Sequence, residues 1–209
     1  MDTIQVLEGP AAEAAIAQLN RVVTLGSGEE GSPDVALCKR EHAAIAPVIH
    51  TGTLSTDILE KIFNAAKTTS HDAINAFGLY SAEEYHCYRL PVTLEAFKAL
   101  RGTSCGVINF ALVASESETS DPDWVVVFDD QLYIAYGSPA FVTALVGSVE
   151  TAYQAVEDRL AQLYKDAQGD IPGYARAEIN RMGEYLDAAF CKLTQDYAQA
   201  EAGDHVFVV

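Results

Sequence analysis

The stretch that decides the fold is DWVVVFDDQLYIAYGSPAFVTALVG, residues 123–147. Its two apolar, β-branched runs are separated by Asp129 and Asp130, and an acidic pair between such runs is typical of the turn of a β-hairpin. Ser138, followed by proline, suits the N-cap and the first position of a short helix, which Gly147 ends. The stretch therefore predicts a strand–turn–strand–helix unit.

The same order of elements occurs 48 residues earlier. Residues 73–80 and 85–90 predict two strands joined by a turn, and the helix that follows stops at Gly102. Few identities support the match, so either two similar ββα units or a duplication explains it, and in both cases we expect one shared sheet. Sliding one stretch over the other superposes a Y-x-x-Y-x-x-P pattern, in which Tyr85, Tyr88 and Pro91 fall on Tyr133, Tyr136 and Pro139.

Two further segments lie between these units. The apolar run of residues 106–114 predicts another strand, and the polar sequence SESETSDPD predicts an acidic loop over residues 115–123. Together the patterns give about five strands in a mainly antiparallel sheet, built from the two ββα units, with helices on one face. The predicted fold class is therefore α+β.

Residues 1–70 are predicted to be mostly helical. After a short strand at residues 4–7, the spacing of apolar residues favours three helices, which begin near Pro10 and extend over residues 34–46 and 53–67.

The sequence LGSGEEGSPD, residues 25–34, contains a G-x-G-x-x-G pattern. In a dinucleotide site such glycines let backbone N–H groups reach a pyrophosphate. Here Glu29 and Glu30 would repel that ligand, and His50 stands where a ribose-binding acid is expected. We therefore interpret the segment as a surface loop and expect no cofactor.

The C-terminal third is predicted to be helical. Apolar residues recur every three or four positions in two blocks that Gly169 separates, which favours an antiparallel helical hairpin over residues 148–203. The final HVFVV predicts a strand over residues 204–209 that needs a pairing partner. We therefore predict one globular domain over residues 1–209, with residues 71–147 as its sheet core.

The chain is strongly acidic, with a formal charge of −17 and a pI of about 4.4. Residues 102–158 contain no Lys or Arg but carry nine acids. Such a surface repels phosphate backbones, so we expect no nucleic-acid binding, and it suits a basic protein partner. Solubility and a salt-adapted source are the alternative explanations of the charge.

The sequence also bears on location. No apolar run approaches the ~20 residues of a membrane helix, so we expect no membrane partner. The first residues, MDTIQVLEGP, lack a basic segment, and the four cysteines form no C-x-x-C pair. We interpret the cysteines as free thiols of a reducing compartment and predict a bacterial cytoplasmic protein.

No catalytic signature is present among the histidines and cysteines. Their spacing matches no zinc site. A nucleophile at Cys87 or Cys105, served by a distant histidine, is an option, but a structural thiol is the commoner role. We predict no catalytic residues.

Carboxylates give a weaker metal hypothesis. Asp129 and Asp130 at the hairpin tip could gather with Asp121 and Asp123 at one end of the sheet and hold a divalent cation. Aspartates are favoured in turns for their local hydrogen bonds, so surface charge is the default, and we predict no metal site.

The hairpin tyrosines complete the candidate surface. Residues three apart in a strand face opposite sides, so one tyrosine of each pair should enter the core and the other can be exposed. Exposed tyrosines beside acids could form a recognition surface, because tyrosine is enriched at interface cores. The predicted binding residues are Asp121, Asp123, Asp129, Asp130, Tyr85, Tyr88, Tyr133 and Tyr136.

These observations favour a non-enzymatic, acidic protein-binding module, an inhibitor or immunity-type protein that docks a basic partner. The alternative is a small-molecule sensor or enzyme with a pocket between the sheet and the helical hairpin. Homodimerisation through the hairpin or the terminal strand is compatible with both hypotheses.

Overall fold

The computed structural model describes residues 4–27, 33–37, 44–49, 54–79, 85–106, 109–117, 120–129 and 132–166. The chain divides into two compact units, Met1–Ala152 and Tyr153–Val209. The sheet and its helices belong to the first unit. Of the second unit, residues 153–166 are described.

Five α-helices occur in the described part of the chain. Four of them follow a residue whose side-chain hydroxyl accepts a hydrogen bond from a first-turn amide: Ser55 from Ile58, Thr93 from Ala96, Ser138 from Phe141 and Ser148 from Thr151. Of these caps, Ser138 was predicted from the sequence. The helices are α1 (Gly9–Leu19), α2 (Thr56–Ala66), α3 (Leu94–Ala99), α4 (Pro139–Val146) and α5 (Val149–Asp166).

Nine strands accompany them. Seven form one sheet in the order β1-β6-β5-β7-β8-β9-β4, and every neighbouring pair in it is antiparallel. The remaining two, β2 and β3, pair with each other. The described strands are β1 (Gln5–Leu7), β2 (Val23–Ser27), β3 (Pro33–Leu37), β4 (Ala44–Ile49), β5 (Ala73–Leu79), β6 (Tyr85–Pro91), β7 (Phe110–Ala114), β8 (Trp124–Asp129) and β9 (Leu132–Gly137). The antiparallel α+β architecture is as predicted.

The first face of the sheet packs against α2, α3 and α4. Phe97 of α3 meets Phe63 of α2 edge to face, with ring centroids 5.7 Å apart. Trp124 of β8 stacks on Phe141 of α4, with centroids 4.6 Å apart. The three helices and this face share one continuous apolar core, in which each fully buried large side chain contributes about 1.5–3 kcal/mol of transfer free energy.

The second face is covered as well, and α1 lies on it. The Asn75 side chain of β5 donates to Gln18 of α1, whereas its neighbours Ile74 and Ala76 belong to the core of the first face. On the second face Val113 of β7 is 1% exposed. The prediction that helices lie on one face is therefore wrong. Strands β7 and β8 are continuous apolar runs, FALVA and WVVVF, and such runs require cover on both faces.

The N-terminal predictions need two corrections. The helix predicted over residues 34–46 is wrong, because β3 and β4 occupy most of that range. The surface loop predicted over residues 25–34 is wrong at its ends, where β2 and β3 pair from Val23↔Leu37 to Ser27↔Pro33. Pro47 lies inside β4, which is possible because β4 is an edge strand of the sheet.

The sheet has seven strands in the described residues, where the sequence predicts about five. The two additional strands, β1 and β4, occupy its edges and pair with β6 and β9. A short strand was predicted at residues 4–7, but the partners of β1 and β4 are far along the chain, so no local pattern indicated that either strand joins the sheet. The mostly helical assignment of residues 1–70 is also wrong, because strands β1 to β4 lie in that range beside helices α1 and α2.

The two ββα units share one sheet, as expected, but with opposite arrangements. Both β5 and β8 are antiparallel to β7, so they run in the same direction. In the order of the sheet, however, β6 precedes β5 whereas β9 follows β8. Helices α3 and α4 nevertheless pack on the same face. The units are therefore mirror-related in layout, and no rotation superposes them. This geometry favours two similar units over a duplication.

The start of the C-terminal prediction also agrees with the structure. Helix α5 corresponds to the first helix of the predicted hairpin. The second helix and the strand predicted over residues 204–209 lie outside the described residues. Among the described helices, none combines the length and the apolar character that crossing a membrane requires.

Gly137, the last residue of β9, provides a test of the packing on the first face. A Cβ atom there would lie 2.8 Å from Trp124 Cβ and 2.9 Å from Phe141 Cδ1. We expect Gly137→Ala to lower the free energy of unfolding by about 1–3 kcal/mol, because the stacked rings must shift. The measurement is urea denaturation.

The matched control is Gly102→Ala, since a Cβ atom at Gly102 meets nothing within 4 Å. At such a site the change should be neutral or stabilising by up to about 1 kcal/mol. Equal effects of the two substitutions would contradict the close packing at Gly137.

Candidate functional site

The acids of the weaker metal hypothesis lie at opposite ends of one strand. Asp123 immediately precedes β8 and Asp129 ends it, so their backbones are about 20 Å apart at ~3.3 Å per residue. The gathering of both acidic pairs at one end of the sheet is therefore wrong. No group of three or more potential metal-ligating His, Cys, Asp or Glu side chains occurs among the described residues.

Asp123 holds another part of the fold in place. Its Oδ2 lies 3.0 Å from His71 Nε2, and His71 Nδ1 lies 3.0 Å from Thr69 Oγ1. The His71 side chain is 8% exposed. Asp123 also donates its backbone N–H to the carbonyl of Ala114. Asp123 thus ties the segment between α2 and β5 to the start of β8, which is a structural role.

One tyrosine of each predicted pair lies in the core, as the spacing predicts. Tyr88 is 9% exposed, and its hydroxyl lies 3.0 Å from Ser104 Oγ. Tyr136 is fully buried. These two rings are therefore packed inside and cannot contact a partner. The side chains of the remaining predicted binding residues other than Asp121 lie outside the described part: Asp129, Asp130, Tyr85 and Tyr133.

The acidic loop, residues 115–123, is held on α1 by one buried glutamine. Gln18 is 3% exposed. Its Nε2 donates to Ser115 Oγ and to the carbonyl of Ser117, 2.8 Å away. Within the loop, the backbone amides of Ser117 and Ser120 each donate to the other residue's hydroxyl, at 3.1 Å in both cases. The described part of the loop therefore has a defined conformation.

This conformation presents acids to solvent. Glu116 is exposed, and the Asp121 side chain is 57% exposed. Arg21 lies 4.0 Å from Asp121 but is itself 39% exposed. An exposed pair at that distance contributes less than about 1 kcal/mol, so Arg21 neutralises the loop only weakly.

A small polar pocket lies beside the loop. Its volume is about 130 Å³. Sequence analysis missed it, because its walls come from α1, β5, β6 and the segment after β7. The available signal was Asn75, a polar residue within the apolar strand β5. The pocket predicted between sheet and hairpin involves residues outside the described part. The polar residues that line the observed pocket are Gln18, Asn75, Arg89, Ser115, Glu116 and Ser117.

The thiols of the described part are poor nucleophiles. Burial raises the pKa of Cys87 to about 11, and burial is likewise the main cause that raises the pKa of Cys105 to about 12. Both are protonated at neutral pH, whereas the thiolate is the reactive form. His86 is exposed and points to the opposite face of β6 from Cys87, so the two side chains do not form a pair.

Removal of the Gln18 amide tests the anchoring of the acidic loop. We expect Gln18→Ala to lower the free energy of unfolding by about 1–3 kcal/mol, because the partners of a buried amide lose their hydrogen bonds. Hydrogen exchange at the amides of Ser117 and Ser120 should accelerate. The control is Gln154→Ala, which removes an exposed helical contact with Asp158 worth ~0.5 kcal/mol or less. Unchanged exchange in Gln18→Ala would show that the loop is held by other contacts.

Alkylation tests the state of the buried thiols. We expect Cys87 and Cys105 to resist iodoacetamide at neutral pH in the folded protein and to react after denaturation, because their raised pKa values keep them protonated. Peptide mapping by mass spectrometry distinguishes them from the other two cysteines. Rapid labelling of either residue in the folded protein would contradict this account and reopen the nucleophile hypothesis.

The comparisons with known proteins do not assign this chain. Searches against protein-family models, curated proteins and solved structures gave no match. The function is therefore argued from the acidic loop, its anchor and its charge.

Proposed function

We propose that this chain is a non-enzymatic protein-binding module that docks a basic partner through its acidic loop, in the manner of an inhibitor or immunity-type protein. The observation that carries the proposal is the anchoring of that loop by Gln18. The loop belongs to a segment, residues 102–158, that contains no Lys or Arg. A defined acidic surface on a segment that contains no Lys or Arg suits a basic partner.

The net charge supports rapid association. The formal charge of −17 attracts basic proteins. At moderate ionic strength, salt screens this attraction beyond ~8–10 Å. Complementary charge chiefly raises the association rate constant and fixes register. Binding should therefore weaken steeply as salt is added.

The ordered loop supports affinity in a second way. Ordering a loop on binding opposes association, and each immobilised side chain costs about 0.5–1.5 kcal/mol. The hydrogen bonds between Gln18, Ser115, Ser117 and Ser120 already define the backbone of the described part. In the described part of the loop, the ordering cost that remains is mainly that of the Glu116 and Asp121 side chains.

The proposal includes a location and an assembly state. The two described cysteines, Cys87 and Cys105, are free and buried, which suits a reducing compartment such as the bacterial cytoplasm. Self-association through the predicted hairpin, residues 148–203, is compatible with docking and stays a prediction. Light scattering of the purified protein measures it.

The test is affinity capture of basic proteins from the cells that make this chain, with two variants of equal net charge. Glu116→Gln/Asp121→Asn removes two acids from the acidic loop. Asp57→Asn/Glu95→Gln removes two exposed acids from the first turns of α2 and α3, on the other side of the sheet. We expect the loop variant to lose about tenfold or more in affinity and the control to lose less than about threefold.

Thermal unfolding must show that both variants are folded, since each helical acid contributes about 0.3–1 kcal/mol through the helix dipole. Equal weakening by the two variants would mean that net charge alone causes retention. Retention that is insensitive to both variants and to salt would refute docking through the acidic loop.

A further inference from the structure

We propose that the polar pocket beside the acidic loop binds a small zwitterion with adjacent ammonium and carboxylate groups, such as a small α-amino acid. The proposal does not depend on docking of a protein partner. It follows from the residues that form the floor of the pocket, the orientation of one amide, the two charges at its walls and its size.

The floor is a cross-strand row on the second face of the sheet. Asn75 of β5 lies directly opposite Arg89 of β6 and Val113 of β7. Side chains in such positions have Cβ atoms about 4.5–5.5 Å apart. The Asn75 amide and the Arg89 guanidinium are therefore neighbours on one surface, and both line the pocket.

The hydrogen bonds of Gln18 orient Asn75. Because Gln18 Nε2 donates to the carbonyl of Ser117, Gln18 Oε1 is the atom that accepts from Asn75 Nδ2, at 3.4 Å. Asn75 Oδ1 is then the remaining acceptor. It is buried and has no hydrogen-bond partner among the described residues. Buried acceptors are almost always satisfied. Because this atom has less than 1 Å² of accessible surface, a ligand N–H reaches it when the Asn75 amide turns toward the pocket.

The walls carry one charge of each sign. Arg89 and Glu116 both line the pocket, and neither forms an ion pair with another described residue. The guanidinium fork suits a carboxylate, which it can bind through two parallel hydrogen bonds. The Glu116 carboxylate and Asn75 Oδ1 suit an ammonium, which has three donors. Arg89 and Glu116 are both exposed, and a ligand with a single charge would pair with only one of them.

The size of the pocket limits the ligand. A volume of about 130 Å³ corresponds to about four water molecules at ~30 Å³ each. Glycine, alanine and serine are of this order, whereas a larger ligand would extend beyond the exposed residues Arg89, Glu116 and Ser117 into solvent. The polar lining also disfavours an apolar ligand.

The experiment is a titration of the full chain with L-alanine, followed by calorimetry and by amide chemical shifts. Acetate and ethylamine serve as probes that carry one of the two charges. We expect saturable binding of L-alanine that is at least about tenfold tighter than that of either probe. Shifts should concentrate at Asn75, Arg89 and residues 115–117.

Two variants locate the binding. We expect Arg89→Gln to weaken L-alanine binding about tenfold or more, while Arg101→Gln, an exposed arginine that contacts Thr56 instead, leaves it unchanged. Asn75→Ala should weaken L-alanine and ethylamine but not acetate. If Asn75→Ala fails to fold, the arginine pair still decides the question.

Other outcomes would overturn the proposal. Acetate binding as tight as L-alanine would make the pocket an anion site. Equal effects of the two arginine variants, or the absence of any saturable response to L-alanine, would exclude a zwitterion site here. The Arg89→Gln and Asn75→Ala variants both retain Glu116 and Asp121. Loss of L-alanine binding in these variants is therefore distinguishable from loss of docking to a protein partner.

Discussion

Burial of strands β7 and β8 on both faces is the constraint on which the described first unit depends. Every side chain of β7, and those of β8 from Trp124 to Phe128, are at most 6% exposed. Two apolar faces require two cores. Helices α2, α3 and α4 supply one, in which Trp124 stacks on Phe141, and α1 packs on the other side. The polar connection between β7 and β8 must then lie outside both cores.

This requirement places the acidic loop beside the end of α1. Gln18 is buried against the sheet, yet its amide satisfies the turning backbone at Ser117. A buried amide with fixed partners orients its neighbours too, and Asn75 is one of them. The loop that presents acids to solvent and the pocket beside it are therefore two consequences of one hydrogen-bond network.

The sequence predicted the elements that depend on local patterns better than it predicted the pairing of distant strands. The β8–β9 hairpin, its Ser138-capped helix and α2 follow from residues within a few positions of each other, and they were predicted with nearly correct bounds. The edge strands β1 and β4 were not indicated as members of the sheet, because their partners lie far along the chain. The candidate site depends on the same distant contacts. Asp121 was predicted as a binding residue, but nothing local links Gln18 to residue 115. The separation of Asp123 from Asp129, in contrast, follows from the predicted strand between them, so the gathering of the two acidic pairs was inconsistent with that strand.

The most direct test of docking through the acidic loop is photo-cross-linking in the cells that make the protein. A photoreactive amino acid replaces Asp121 in one variant and Glu95, on the other side of the sheet, in a second. The account predicts that a basic protein cross-links to position 121 and not to position 95. Adducts that are the same at both positions, or adducts that form at position 95 alone, would contradict it.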